Sequence, residues 1–343
     1  MLCHISLESR VPPSHPLRAI KRLADRALAD IDAKLSAMYS SRGRHSVPPE
    51  RLLKATLLMA LYSVRSERQL CEQLEYNLLF RWFLGMDILE STFHPTTFTK
   101  NRARLMDHDI ARAFFEAVVA GARRGNLLSE EHFSVDGTLI EAWASMKSFR
   151  PKDEATGDSN GWADFKGQKR SNKTHQSQTD AEARLTRKGR GKEAKLAFMG
   201  HALMENRNGL LLDFCVTQAS GTAERDAALS MASELASPVG TCVTLGADKG
   251  YDARAFIDSC TEQGIEAHIA RKKNSTQAAS IEDCTRYKAS QVVRRRVEEI
   301  FGWLKTVGGL RRTRYRGRAR TELYGLLAGA ALNLMRIARL SMA

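Results

Sequence analysis

At 343 residues, with 43% hydrophobic and 27% charged content, the chain is long enough for two domains and has an ordinary globular composition. Its formal net charge of +14 calls for a polyanionic partner, because residues 166–195 hold 10 Lys and Arg against 3 Asp and Glu, and residues 291–320 hold 10 against 2. Six scattered cysteines with no C-x-x-C pair argue against a zinc site or a disulfide framework, and the apolar run Leu323 to Met335 is too short to span a bilayer. The expectation is a reduced, cytoplasmic protein that binds nucleic acid.

Residues 17–120 read as helical. Pro48-Pro49-Glu50 looks like a helix start capped by Ser46, followed by Leu52, Leu53, Leu57 and Leu58 at helical spacing. Ser66 begins a second helix, with Gln69 at the capping-box position. A third begins at His94-Pro95-Thr96-Thr97 and carries Lys100, Arg102 and Arg104. Such short helices, the last one basic, fit a helix-turn-helix-like DNA-binding unit, with Lys100 and Arg102 as candidate contacts. A plain helical bundle for packing or dimerisation fits equally well. Gly121 to Ser129 is a plausible boundary between a helical domain at 1–128 and a second domain at 129–343.

Beyond it the pattern turns to strands. Residues 132–143 alternate around Val135 and Leu139, while 147–195 form a polar, basic insert with little apolar periodicity. Two strand-like runs at 196–218 flank Asn206-Arg-Asn-Gly209, a strong hairpin signal. Thr222 to Ala236 reads as a helix, Cys242 to Ala247 as a strand, Asp252 to Gln263 as a helix and Ile265 to Ala270 as a strand. That order predicts an α/β fold, a mixed sheet with flanking helices. A helix at 292–305 follows, then a basic arm and C-terminal helix at 306–343.

Three acids stand out. Asp136 and Asp248 lie in or at the end of apolar strand runs, and Glu298 lies on the helix that follows. Projected at 100° per residue, Arg294, Glu298 and Lys305 share a helix face beside the stripe formed by Val297, Ile300, Phe301 and Leu304, while Glu299 points further toward solvent. Three carboxylates from separate elements suit a pair of magnesium or manganese ions working on phosphodiesters. Taken singly, each has a plainer role as a turn former, a helix cap or half of an exposed ion pair, and Asp252 shares the first two. No H-x-x-x-H, G-x-S-x-G or Walker-type loop offers a rival chemistry. Trp143, Trp162 and Trp303 are candidates for stacking on bases, although Trp303 sits near the apolar stripe.

The segments Val-Asp136-Gly-Thr, Ala-Asp248-Lys-Gly-Tyr and Arg294-x3-Glu298-x6-Lys305 resemble the DDE signature of bacterial insertion-sequence transposases, InsH-like branch, the insertion-sequence-five group. The resemblance extends over Pro49 to Lys54, Phe93 to Phe98, Arg170-Ser-Asn-Lys173-Thr-His175, Ala183 to Gly189 and Met199 to Gly209. It implies an RNase H-like catalytic domain, with Asp136, Asp248 and Glu298 holding two Mg²⁺ or Mn²⁺ ions. It also implies that Arg294 and Lys305 contact DNA near the cut. Lys249, next to Asp248, and Arg170, Lys173, Arg311 and Arg312, in the basic segments, are further candidate DNA contacts. The implied partners are double-stranded DNA, as terminal inverted repeats and target, and a second copy of the chain, in a bacterial, nucleoid-associated setting. The alternatives are an RNase H-like nuclease without strand transfer and a domesticated DNA-binding protein. The helix motif departs at Gln291, where the family usually has tyrosine, which leaves any stacking role there open.

Overall fold

The structure is a computed structural model describing residues 6–38, 47–107, 109–152, 170–189, 191–235, 242–275, 277 and 279–341. Among these, eight helices precede the sheet: α1 (Leu7–Arg10), α2 (Pro16–Asp30), α3 (Asp32–Ala37), α4 (Pro49–Leu61), α5 (Glu67–Tyr76), α6 (Leu78–Leu84), α7 (Pro95–Asp107) and α8 (Ile110–Arg124). Proline opens α4 and α7, where a missing N–H costs nothing. The proposed Ser46 cap lies outside the described residues. Ser66 Oγ accepts the Gln69 N–H at 3.1 Å, as a capping box requires. Gln69 Oε1, however, accepts from Arg65 N–H at 3.0 Å, one residue before the cap. The helical run continues through Gly121 to Arg124, four residues past the expected end.

The chain then enters the sheet at β1 (His132–Glu141). Three short strands follow in the basic insert, where the sequence pattern predicts none: β2 (Phe149–Pro151), β3 (His175–Ser177) and β4 (Arg184–Thr186). At three residues each they are too short to show a period, and tertiary contacts hold them. β2 pairs only with β3, Phe149 stacks on His175 at 5.5 Å, and Asn172 brackets Leu185 with two hydrogen bonds.

Next come β5 (Lys195–Glu205) and β6 (Leu211–Gln218), the predicted hairpin. Gly209 supplies its left-handed turn at φ +72°. The buried Glu205 carboxylate accepts the N–H groups of Ser129, Arg207, Asn208 and Leu210, which ties that turn to the start of β1. The rest runs α9 (Ala223–Ser233), β7 (Val243–Ala247), α10 (Arg254–Glu262), β8 (Ile265–Ile269), α11 (Thr285–Val293), α12 (Val297–Thr306) and α13 (Arg318–Leu340).

β5 lies between β6 and β1, and the sheet continues through β7 to β8. β1, β5 and β6 are antiparallel neighbours, whereas β7 and β8 run parallel to β1. β4 extends the β6 flank of β5. This is the RNase H-like order, three antiparallel strands followed by two parallel crossovers. One core packs the N-terminal helices, α12 and α13 on one face of the sheet, through Phe198 and Phe214. A second core packs α9 and α10 on the other, through Phe133, Val135, Leu245 and Tyr251.

α13 is long and apolar enough by length and composition to cross a membrane, but 78% of its apolar window is buried inside the protein. Small residues let it sit directly on β6: a Cβ at Gly329 would lie 2.7 Å from Leu211, and one at Gly325 would overlap Phe214.

The predicted helix at 292–305 is present but tightens in its middle. α11 ends at Val293, a tighter 3₁₀ turn spans Arg294–Arg296, and α12 starts at Val297. The 3.6-residue projection therefore does not carry from Arg294 to Glu298. Two arginines of the turn are held elsewhere: Arg294 Nε donates to Gln291 at 2.7 Å, and Arg296 donates to the carbonyls of Asn206 and Arg207.

Candidate active site

β1 and β7 run parallel with Ser134 level with Gly246. Two residues further along each chain stand Asp136 and Asp248, so the sheet register itself brings the two aspartates side by side. Each is oriented by a backbone donor: Asp136 Oδ1 accepts from Gly137 N–H at 2.8 Å, and Asp248 Oδ1 from Gly250 N–H at 2.6 Å. Side chains alternate along β1, so Asp136 and Thr138 share the face toward α12, where Thr138 Oγ1 lies 2.6 Å from Lys305 Nζ. Glu298, in the first turn of α12, is exposed and makes no hydrogen bond or ion pair among the described residues.

Asp136, Asp248, Glu298 and Lys305 line one cleft of about 920 Å³. The same cleft contains Glu224, from the first turn of α9 on the opposite face of the sheet. Burial pushes the Asp136 carboxyl up to about 7; Asp248 and Glu224 act in the same direction, while the Gly137 N–H and Arg294 pull it back. Burial, then Asp248, also raises Glu224. Burial lowers Lys305, helped by Lys188 and Arg311. The cleft thus gathers four carboxylates, Asp136, Asp248, Glu224 and Glu298, together with the cations Arg187, Lys188 and Lys305. Among the described residues, no three His, Cys, Asp or Glu side chains already converge on one point as a closed metal site.

The other predicted residues are spread around this cleft. Arg294 lies over β7, its Cβ 3.5 Å from where a Gly246 Cβ would be, and it faces Asp136. Lys249 is exposed in the turn that follows Asp248. Lys173 is exposed and Arg170 half-buried beside Asn172, itself a cleft residue. Arg311 is close enough to affect Lys305. Arg312 stacks over exposed Trp143 at 5.2 Å and donates to the Ala142 and Trp143 carbonyls. Lys100 is exposed on α7, which also carries Arg102. Trp303 packs against the core, and Trp162 lies outside the described residues. Asp252 is structural: it accepts from Lys272 N–H, Ser275 and Gln277. Glu299 turns away toward Arg336, at 3.6 Å.

The family described as Transposase DDE domain matches residues 129–334. The chain belongs to the DDE transposase family. Residues 5–104 match a second family, described as Transposase domain (DUF772). No curated protein matches the chain. Among solved structures, the piggyBac transposase synaptic complex with hairpin DNA is similar at 11% identity and a TM-score of 0.43, covering 94% of this chain and 74% of that one. The Mos1 transposase paired-end complex with left transposon end is similar at 12% identity and a TM-score of 0.21, covering 78% and 82%.

Three residues of this DNA transposase escaped sequence reasoning. Thr138 holds Lys305 but reads as one more strand threonine. Gln291, set aside as a departure, braces Arg294 through Oε1 and donates from Nε2 to the His268 carbonyl on β8 at 2.6 Å. Glu224 reads as an ordinary acid in a helix's first turn, where the helix dipole favours one anyway. Its only signal was the Asp136-Gly137 pair: glycine inside a strand marks a close approach.

Proposed function

We propose that this transposase cuts the ends of its own element and joins them to target DNA in the bacterial cytoplasm, with Asp136, Asp248 and Glu298 holding two Mg²⁺ or Mn²⁺ ions. The observation that carries this reading is the neighbouring pair Asp136 and Asp248, each two residues beyond the Ser134–Gly246 register, in one cleft with Glu298. Acid-only oxygen donors suit a hard cation, and buried carboxylates crowded together lack the counter-charge that such a cation brings. When bound, the cations supply an activated nucleophile and neutralise charge at the attacked phosphate and the leaving 3′ oxygen.

The chain's own residues do the rest. The Gly137 and Gly250 N–H groups fix the two aspartates. Glu298, unpaired and on a long side chain, is free to swing in from α12. Arg294, braced by Gln291, and Lys305, held by Thr138, present cations on the same side and suit the phosphates flanking the cut. Lys249, Arg170, Lys173, Arg311 and Arg312 extend that positive rim. Lys100 and Arg102 on α7 belong to the helical part, 1–128, which would recognise the terminal inverted repeats. Two ends are joined together, so the working unit is a homodimer on DNA.

The test is incubation of purified protein with Mg²⁺ and a DNA fragment bearing the inverted repeats that flank its gene. Cleavage at the 3′ ends and strand-transfer products are expected, both lost in Asp136→Asn with DNA binding retained. Normal cutting by Asp136→Asn would overturn the assignment. Cutting without joining would leave a nuclease.

A further inference from the structure

We propose that Glu224 is a fourth carboxylate of the divalent-cation site, reaching Asp136 and Asp248 from the face of the sheet opposite Glu298. This rests on the metal-dependent reading of the cleft and extends it to a residue outside the three-acid signature.

Gly137 follows Asp136 on β1, so by strand alternation its missing side chain would point to the α9 face. Glu224 fills that gap: a Cβ at Gly137 would lie 2.8 Å from Glu224 Cγ and 2.9 Å from Oε1. Gly250, whose N–H fixes Asp248, stands on the other side, where a Cβ would lie 3.7 Å from Glu224 Oε2. One carboxylate thus spans the two glycines that accompany the two aspartates. Any side chain at 137 would push it out.

Glu224 also lacks a partner of its own among the described residues. It is half-buried, lines the acidic cleft, and makes no hydrogen bond or ion pair among the described residues. Its neighbour Arg225 donates to the Gly221 and Gly250 carbonyls and pulls the Glu224 carboxyl down, but makes no hydrogen bond or ion pair with it among the described residues. A half-buried carboxylate beside two others, with no donor, is unfavourable unless a cation joins them. With Glu298 on the α12 side and Glu224 on the α9 side, two glutamates bracket the aspartates, enough oxygen donors for two ions that share ligands.

The experiment titrates Mn²⁺ into metal-free, full-length protein and follows free Mn²⁺ by electron paramagnetic resonance, without DNA and without turnover. Glu224→Gln is expected to weaken Mn²⁺ binding by about tenfold or more, and Asp136→Asn at least as much. Gly137→Ala, which keeps every carboxylate but displaces Glu224, should weaken binding too, and it replaces Glu224→Gln as the deciding variant should the latter fail to fold by circular dichroism. Wild-type Mn²⁺ affinity in Glu224→Gln, alongside loss in Asp136→Asn, would overturn this inference and leave the three-acid reading standing. Equal binding by wild type and Asp136→Asn would instead remove the metal site, and both readings with it.

Discussion

Asp136 and His201 sit on neighbouring strands and respond to pH in opposite senses. Burial raises the Asp136 carboxyl from an ordinary 3.8 to about 7. The folded state therefore holds this proton more tightly than the unfolded chain, and the stability it contributes, complete below pH 3.8, is lost as pH rises through 7. His201 on β5 is fully buried, its Nε2 2.8 Å from Thr217 Oγ1, and burial lowers it from 6.5 to about 4. Its contribution is present above 6.5 and lost as pH falls toward 4. Between about pH 4 and 6.5 the two slopes oppose each other in the metal-free protein, so wild type is expected to look nearly flat. Asp136→Asn leaves the histidine, and its stability should rise with pH over that window; His201→Gln leaves the aspartate, and its stability should fall. Each slope is on the order of 2 kcal/mol across the window, once partial solvent screening is allowed for. Urea unfolding in EDTA at several pH values reads both, and parallel profiles for the two variants would refute the assignment of either group.

At the scale of elements, the 3₁₀ turn between α11 and α12 matters most, because it rotates Arg294 relative to Glu298 and Lys305. Gln291 joins β8 to Arg294, so Gln291→Ala should leave the guanidinium charge in the cleft while releasing its orientation. Strand cleavage is then expected to slow by about tenfold with DNA affinity little changed, since misplacement of a positioned group acts on the reaction more than on binding. Equal losses in affinity and rate would show that Gln291 serves binding instead. The 3₁₀ turn was not legible, because a run of three arginines between Val293 and Val297 fits a continuous amphipathic period; within it Arg296 reaches to the distant β5–β6 turn. β1 and β7 were legible because their apolar alternation survives around one acid each, and the hairpin because Asn-Gly admits few other conformations. Strands β2 to β4 were not, since non-local partners hold them. Glu224 was hidden for a related reason: its meaning comes from Gly137, 87 positions earlier, and nothing local marks it.

For the whole molecule, the decisive element is α13. It follows the catalytic strands in sequence, yet its apolar surface is shared between β6 and the N-terminal helices α2, α4 and α8. A single hydrophobic core runs from Val11 through Leu57 and Phe114 to Phe214, Leu327 and Ile337. Half-buried ion pairs cross the same seam, where Arg112 on α8 reaches Asp213 on β6 and Glu322 on α13. Cutting the chain at 128 would therefore leave α13 with one face uncovered, a contiguous apolar surface of the kind that drives aggregation. Residues 129–343 expressed alone are expected to be insoluble or to bind hydrophobic dyes, and co-expression with residues 1–128 should restore solubility. Calorimetry of the intact, metal-free chain should show one cooperative transition, because the two cores share the sheet and the first of them spans both halves of the chain. Two resolved transitions, or a soluble and monomeric 129–343 fragment, would show that the helical half is a separable module. Because that core joins the helical half to one face of the sheet, DNA bound on α7, as proposed, would be mechanically continuous with the sheet that carries Asp136. Recognition of an element's end and the geometry of its cleavage would then be set by the same packed interior.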